Sequence, residues 1–133
     1  MNTYSEKLGI LSQMISFARI DKKIMDSEYD FLWGVAQQLG IGKEDFNSLF
    51  HKKPKKVVLK SEAERILQFH RLVLLMNIDR EQKLVEIEEL HNVGLGFGLP
   101  QAAIEQVLIA MHRYPDKVVP PEVLMEIFKV YNN

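Results

Sequence analysis

The chain has 133 residues and no cysteine, which excludes disulfide scaffolds, thiolate metal sites and cysteine nucleophiles. Its apolar fraction of 47% argues for a globular chain, and its length suits one domain, residues 1–133, with a real core. Seventeen basic against eighteen acidic residues give a net charge of -1, so the molecule as a whole is not drawn to nucleic acid. No apolar run approaches a membrane span, and Met1–Lys7 lacks the basic-then-apolar pattern of a signal peptide. The expectation is a soluble, cytoplasmic protein without a transmembrane segment.

Leu8, Leu11, Met14, Ile15 and Ala18 recur at spacings of three and four and predict a first helix over about 4–20. Phe31, Leu32, Val35, Ala36 and Leu39 predict a second from Ser27 to Leu39, with Asp26 or Ser27 as N-cap and Gly40 at its end. Lys43–Phe50 reads as a short third helix. After the polar break His51–Lys56, Ser61 with Glu64 three residues on has the capping-box spacing and opens a fourth. A fifth helix is expected near 83–97, and a sixth with Pro100 as its first residue. Pro115 breaks the chain, and Pro120-Pro121 opens a seventh over about 120–131 that closes the core. With no sustained alternation of period two, the fold class is all-α.

A shift of 58 residues lays helices one to three on helices four to six without a gap. Ile20-Asp21 meets Ile78-Asp79, Glu28 meets Glu86, and Gly40-Ile41 meets Gly98-Leu99. The apolar stripes coincide as well: Leu8 with Ile66, Leu11 with Phe69, Leu32 with Leu90, Phe46 with Ile104. Two pseudo-symmetric three-helix units, about 4–51 and 61–113, plus a C-terminal helix are therefore expected.

The pattern Ala18-x-x-Asp21-x-x-Ile24-x-x-x-Glu28-x-x-x-Leu32, repeated as Met76-x-x-Asp79 through Glu86 to Leu90, resembles the TerB-like family of tellurite-resistance TerB. The resemblance spans nearly the whole domain. It implies an all-helical, two-fold pseudo-symmetric domain acting as a non-enzymatic binding or stress-response module, with the motif's acidic residues holding a divalent cation. Where family members commonly have glycine after the Asp, Lys22 and Arg80 follow here.

The residues give their own grounds for a site. Asp21 and Asp79 follow the last apolar position of their helices, where the dipole disfavours a carboxylate by about 0.3–1 kcal/mol. Loop amides or a helix cap would compensate, and so would a hard cation, which takes carboxylate and carbonyl oxygens. If the halves converge, Asp21, Glu28, Asp79 and Glu86 become the candidate ligands, with calcium or magnesium as the expected ion.

A rival reading rests on Lys52, Lys53, Lys55, Lys56 and Lys60. They give residues 1–60 ten basic against seven acidic side chains, and such a cluster suits an anion, either nucleic acid or an acidic lipid surface. Another protein is the partner otherwise expected, with the basic segment or the last helix, through Phe128 and Tyr131, as the contact. An enzyme with a pocket hidden among the helices is the third reading. No catalytic elbow, zinc-binding His pair or phosphate loop supports it. Glu88 and His91 lack the second Glu-x-x-His copy that a di-iron site requires. The loop-like run from Asp26 has Phe31 where a calcium loop needs glycine.

Overall fold

The computed structural model describes residues 2–20, 23–78 and 83–131. These residues are all-helical, with seven α-helices and no strand among them. In chain order they are α1 (Tyr4–Ala18), α2 (Asp26–Gln38), α3 (Lys43–Leu49), α4 (Glu62–Met76), α5 (Leu84–Gly96), α6 (Gln101–Ala110) and α7 (Pro121–Tyr131). Short 3-10 turns at Met111–Arg113 and Pro115–Lys117 fill the stretch before α7. None of these helices is long and apolar enough to cross a membrane.

The repeat extends to the caps. Moved by 58 positions, the bounds of α1 and α2 fall on those of α4 and α5. Thr3 Oγ1 accepts the Glu6 N–H at 3.1 Å, and its equivalent Ser61 accepts the Glu64 N–H at 3.1 Å. Glu6 completes a capping box by accepting the Thr3 N–H at 2.8 Å, whereas Glu64 reaches one residue further back, to the Lys60 N–H at 3.0 Å. At the other ends, Gly40 and Gly98 take φ of 76° and 80°, the left-handed conformation that favours glycine. Each allows the next residue to turn back, with the Ile41 N–H on Ala36 O at 2.8 Å and the Leu99 N–H on Gly94 O at 3.0 Å. Ile41 and Leu99 are thereby folded into the core.

α1 and α4 pack on each other at the centre. α2 and α3 lie against α1, α5 against α4, α6 against α5, and α7 against α6. A buried amide, Gln68, stands at the seam between α1 and α4. Gln68 donates to Ile10 O at 3.1 Å and Gln13 Oε1 at 2.9 Å, and accepts from Arg71 at 3.1 Å. Ile10 and Gln68 are equivalent positions of the two units, and an axis of two-fold symmetry brings such positions together.

Three expectations need correction. α2 begins one residue earlier than its sequence suggests, with Met25 as N-cap and neither Asp26 nor Ser27 in that role. Glu28 makes this workable by reaching back to the Met25 N–H at 3.0 Å, so a capping side chain at Met25 is not needed. Pro100 stands just outside α6 as N-cap, because its ψ of 133° is extended. Phe128, read as an exposed aromatic contact, is 2% exposed and packs edge-on against Phe69 with ring centroids 6.3 Å apart.

His70 is one of the titratable groups buried in this fold. Burial holds the His70 imidazole below its ordinary value of 6.5, and a backbone hydrogen bond at Val119 offsets part of the effect. The unfolded chain takes up a proton as pH drops below that ordinary value while the native ring stays neutral. Stability is therefore full above the unfolded value and is lost as pH falls toward the folded one. Denaturant midpoints should decrease from about pH 7.5 to about pH 5, and His70→Gln should make that decrease shallower.

Candidate functional site

Asp21 and Asp79 lie outside the described residues, as do Lys22 and Arg80. Glu28 and Glu86 occupy the third position of α2 and α5, where the helix dipole favours negative charge. Both are 1% exposed. Glu28 is anchored through the Met25 N–H, and Glu86 is also engaged in an interaction. Burying a carboxylate is costly without such partners, so its appearance at both equivalent positions is a property of the repeat.

These two carboxylates do not make a metal site by themselves. Among the described residues no three histidine, aspartate or glutamate side chains are grouped to hold a metal. A hard cation takes about six to eight oxygens for calcium and about six for magnesium. Asp21, Asp79 and nearby carbonyls would have to complete that set.

The basic segment is ordered by α1, not loose. Residues 51–60 form an extended strap that runs toward the start of α1. Ser12 Oγ accepts the Lys55 N–H at 2.8 Å, and Lys56 O comes so close to Gly9 that a Cβ there would stand 2.8 Å away. Val57 and Leu59 pack against the core. Lys52, Lys53, Lys55 and Lys56 are exposed to solvent. Lys60 differs, since its ammonium lies 3.4 Å from the Glu6 carboxylate. The candidate anion surface thus consists of four exposed lysines and a fifth that is ion-paired.

A second strap, residues 111–120, lies along α4 in the equivalent place. His70, which corresponds to Ser12, is hydrogen-bonded to the Val119 backbone. Asn77, which corresponds to Arg19, donates to Lys117 O at 3.5 Å and to Met111 Sδ at 3.4 Å. Arg19 in turn donates to Phe50 O at 3.0 Å, at the end of α3 just before the first strap. Between α4 and the second strap opens a cavity of about 650 Å³, lined in part by Phe31, Asn77, Ile78, His112 and Asp116. Asp116 and Lys117 take φ of 55° and 59°, a strained pair of left-handed residues at its rim. The enzyme reading asks for two carboxylates in a pocket; the described lining supplies Asp116 alone.

Sequence reading passed over Gly9 and Ser12, which hold the basic strap. Their signal was comparative, because Gly9 and Ser12 stand where the second unit has Leu67 and His70. Trp33 packs on Phe46 at 5.3 Å between centroids, with the Lys43 ammonium 4.4 Å from its ring. No family model matches the chain, and no curated protein or solved structure matches it either.

The strap gives a direct test. In Gly9→Ala the new methyl must displace Lys56 O, an overpacking cost of about 1–3 kcal/mol, against about 1 kcal/mol gained in helix propensity. A net loss of about 1 kcal/mol is expected in urea unfolding. Leu67→Ala, at the uncovered equivalent position, should change stability by less than about 0.5 kcal/mol.

Proposed function

We propose that this chain is a TerB-like, non-enzymatic binding module of the cytoplasm whose duplicated acidic motif responds to a divalent cation. Asp21 and Glu28 from one unit and Asp79 and Glu86 from the other are the ligands in this reading, and calcium or magnesium is the ion. The observation that carries it is the pair of buried carboxylates, Glu28 and Glu86, at equivalent positions, each seven residues after its motif aspartate in the sequence. The tellurite and stress-response setting comes from the family resemblance and is part of the proposal.

A thermal-unfolding panel tests it. Protein stripped by chelator receives calcium, magnesium, manganese or zinc at about a hundredfold excess over the dissociation constant, which stabilises by about 2.7 kcal/mol. The midpoint should rise on the order of 5–10 °C with calcium or magnesium. Asp21→Asn with Asp79→Asn should abolish that rise. A flat panel makes Asp21 and Asp79 structural residues of the helix ends.

The pinned strap supports a second reading, an anion-binding module. Its lysines are displayed without the entropy cost of ordering a loose loop on contact. If it meets a nucleic-acid backbone, affinity should fall with salt at a logarithmic slope no steeper than about -4 for four contacts. Lys53→Gln with Lys55→Gln should reduce the slope by about 2. Absence of binding to duplex DNA and phosphatidylserine vesicles at low salt sinks this reading.

A further inference from the structure

α7 commits Leu124 and Phe128 to the core and carries a second apolar stripe whose Val123 and Ile127 are half-buried against the core and whose Val130 and Tyr131 are exposed. Val123, Ile127, Val130 and Tyr131 stand at i, i+4, i+7 and i+8, one continuous helix face. Together with Glu122 and Glu126 they line a shallow groove of about 460 Å³. Val130 is 55% and Tyr131 41% exposed. Isolated surface apolar residues are ordinary, whereas apolar residues that share one helix face and line a groove mark a surface able to take a partner.

The repeat shows what kind of stripe it is. A further shift by 58 residues lays α7 on α4, and through it on α1. Ile127 then falls on Phe69 and Leu11, Val130 on Leu72 and Met14, and Tyr131 on Val73 and Ile15. In α1 and α4 all these positions are buried, and helices pack over them. α7 leaves Val130 and Tyr131 of this register exposed and Ile127 half-buried, whereas Val123 falls outside it, on Arg65 and Lys7.

We infer that this stripe is the docking face for a basic amphipathic helix of another protein, seated on α7 as α5 is seated on α4. Charge selects that occupant. Glu122 and Glu126 flank the stripe one turn apart, and with Glu62 of α4 they rim a second shallow groove where Lys129 is the single cation. Lysines beside an apolar stripe complement this rim, while an anionic lipid surface is repelled by it. A second copy fits poorly too. Glu126 adjoins Ile127 at mid-stripe, so a two-fold pairing of α7 helices sets the two Glu126 carboxylates near each other. The inference is independent of the cation and anion readings, none of whose residues lies on α7.

The full chain is titrated with a labelled helical peptide of about 18 residues, leucines at i, i+3 and i+4 spacing and lysines alongside, and anisotropy is read. Saturable binding in the micromolar range is expected, with none for the counterpart carrying glutamate at each lysine. Val130→Glu adds negative charge, so a simple field effect would tighten binding. The apolar contact predicts weakening by about tenfold or more. Glu122→Lys with Glu126→Lys should weaken the lysine peptide and admit the glutamate one, and circular dichroism verifies that both variants stay helical. Failure of the lysine peptide to bind, or equal binding by Val130→Glu, overturns the inference. So does a dimer in sedimentation, or adsorption to phosphatidylserine vesicles, that Val130→Glu removes.

Discussion

The seam between α1 and α4 is the constraint on which everything else hangs. Each of these helices carries its own unit, so the units meet only as well as these two helices fit. Apolar burial supplies most of the attraction, but it is nearly indifferent to register. Gln68 is not indifferent. A buried amide left unsatisfied costs about 1–3 kcal/mol; Arg71 on α4 itself donates to its oxygen, and its N–H bonds across the seam are made only when Ile10 O and Gln13 stand where they do. Small shifts along the seam would break those bonds.

The helices were legible in the sequence because each carries a stripe of period 3.6 with punctuation at its ends. Gly40 and Gly98 worked as stop signals since the turn they make requires positive φ. The start of α2 was less legible because two competent caps, Asp26 and Ser27, stand beside a third solution, the backward reach of Glu28. Phe128 misled for a different reason. α7 has two apolar stripes, and periodicity alone does not tell which one faces inward. The acidic motif was readable as a spacing, and the burial of Glu28 and Glu86 was not, because burial depends on which faces meet. The course of the basic strap was out of reach for the same reason: it is set by a missing side chain at Gly9 and a hydroxyl at Ser12, both on another element.

The two units have diverged more in their straps than in their helices. Ser12 and His70 serve as equivalent anchors, yet one holds a lysine-rich segment and the other holds a strained turn beside a cavity. Helix positions are constrained by the shared core, whereas strap side chains face solvent and are free to specialise. Candidate chemistry therefore accumulates on straps and on α7, and the symmetric centre supplies rigidity.

Because the units are joined through a single extended strap, the α1–α4 seam is the kind of contact that two chains could also form by exchanging halves. Residues 51–60 would then be the hinge, and the seam of each half would be unchanged in chemistry. Linkage within one chain favours the closed form through a high effective concentration, and seating of the strap on Gly9 and Ser12 favours it further. The close fit at Gly9 thus disfavours the exchanged form, since a chain that straightens across its hinge gives up that seat.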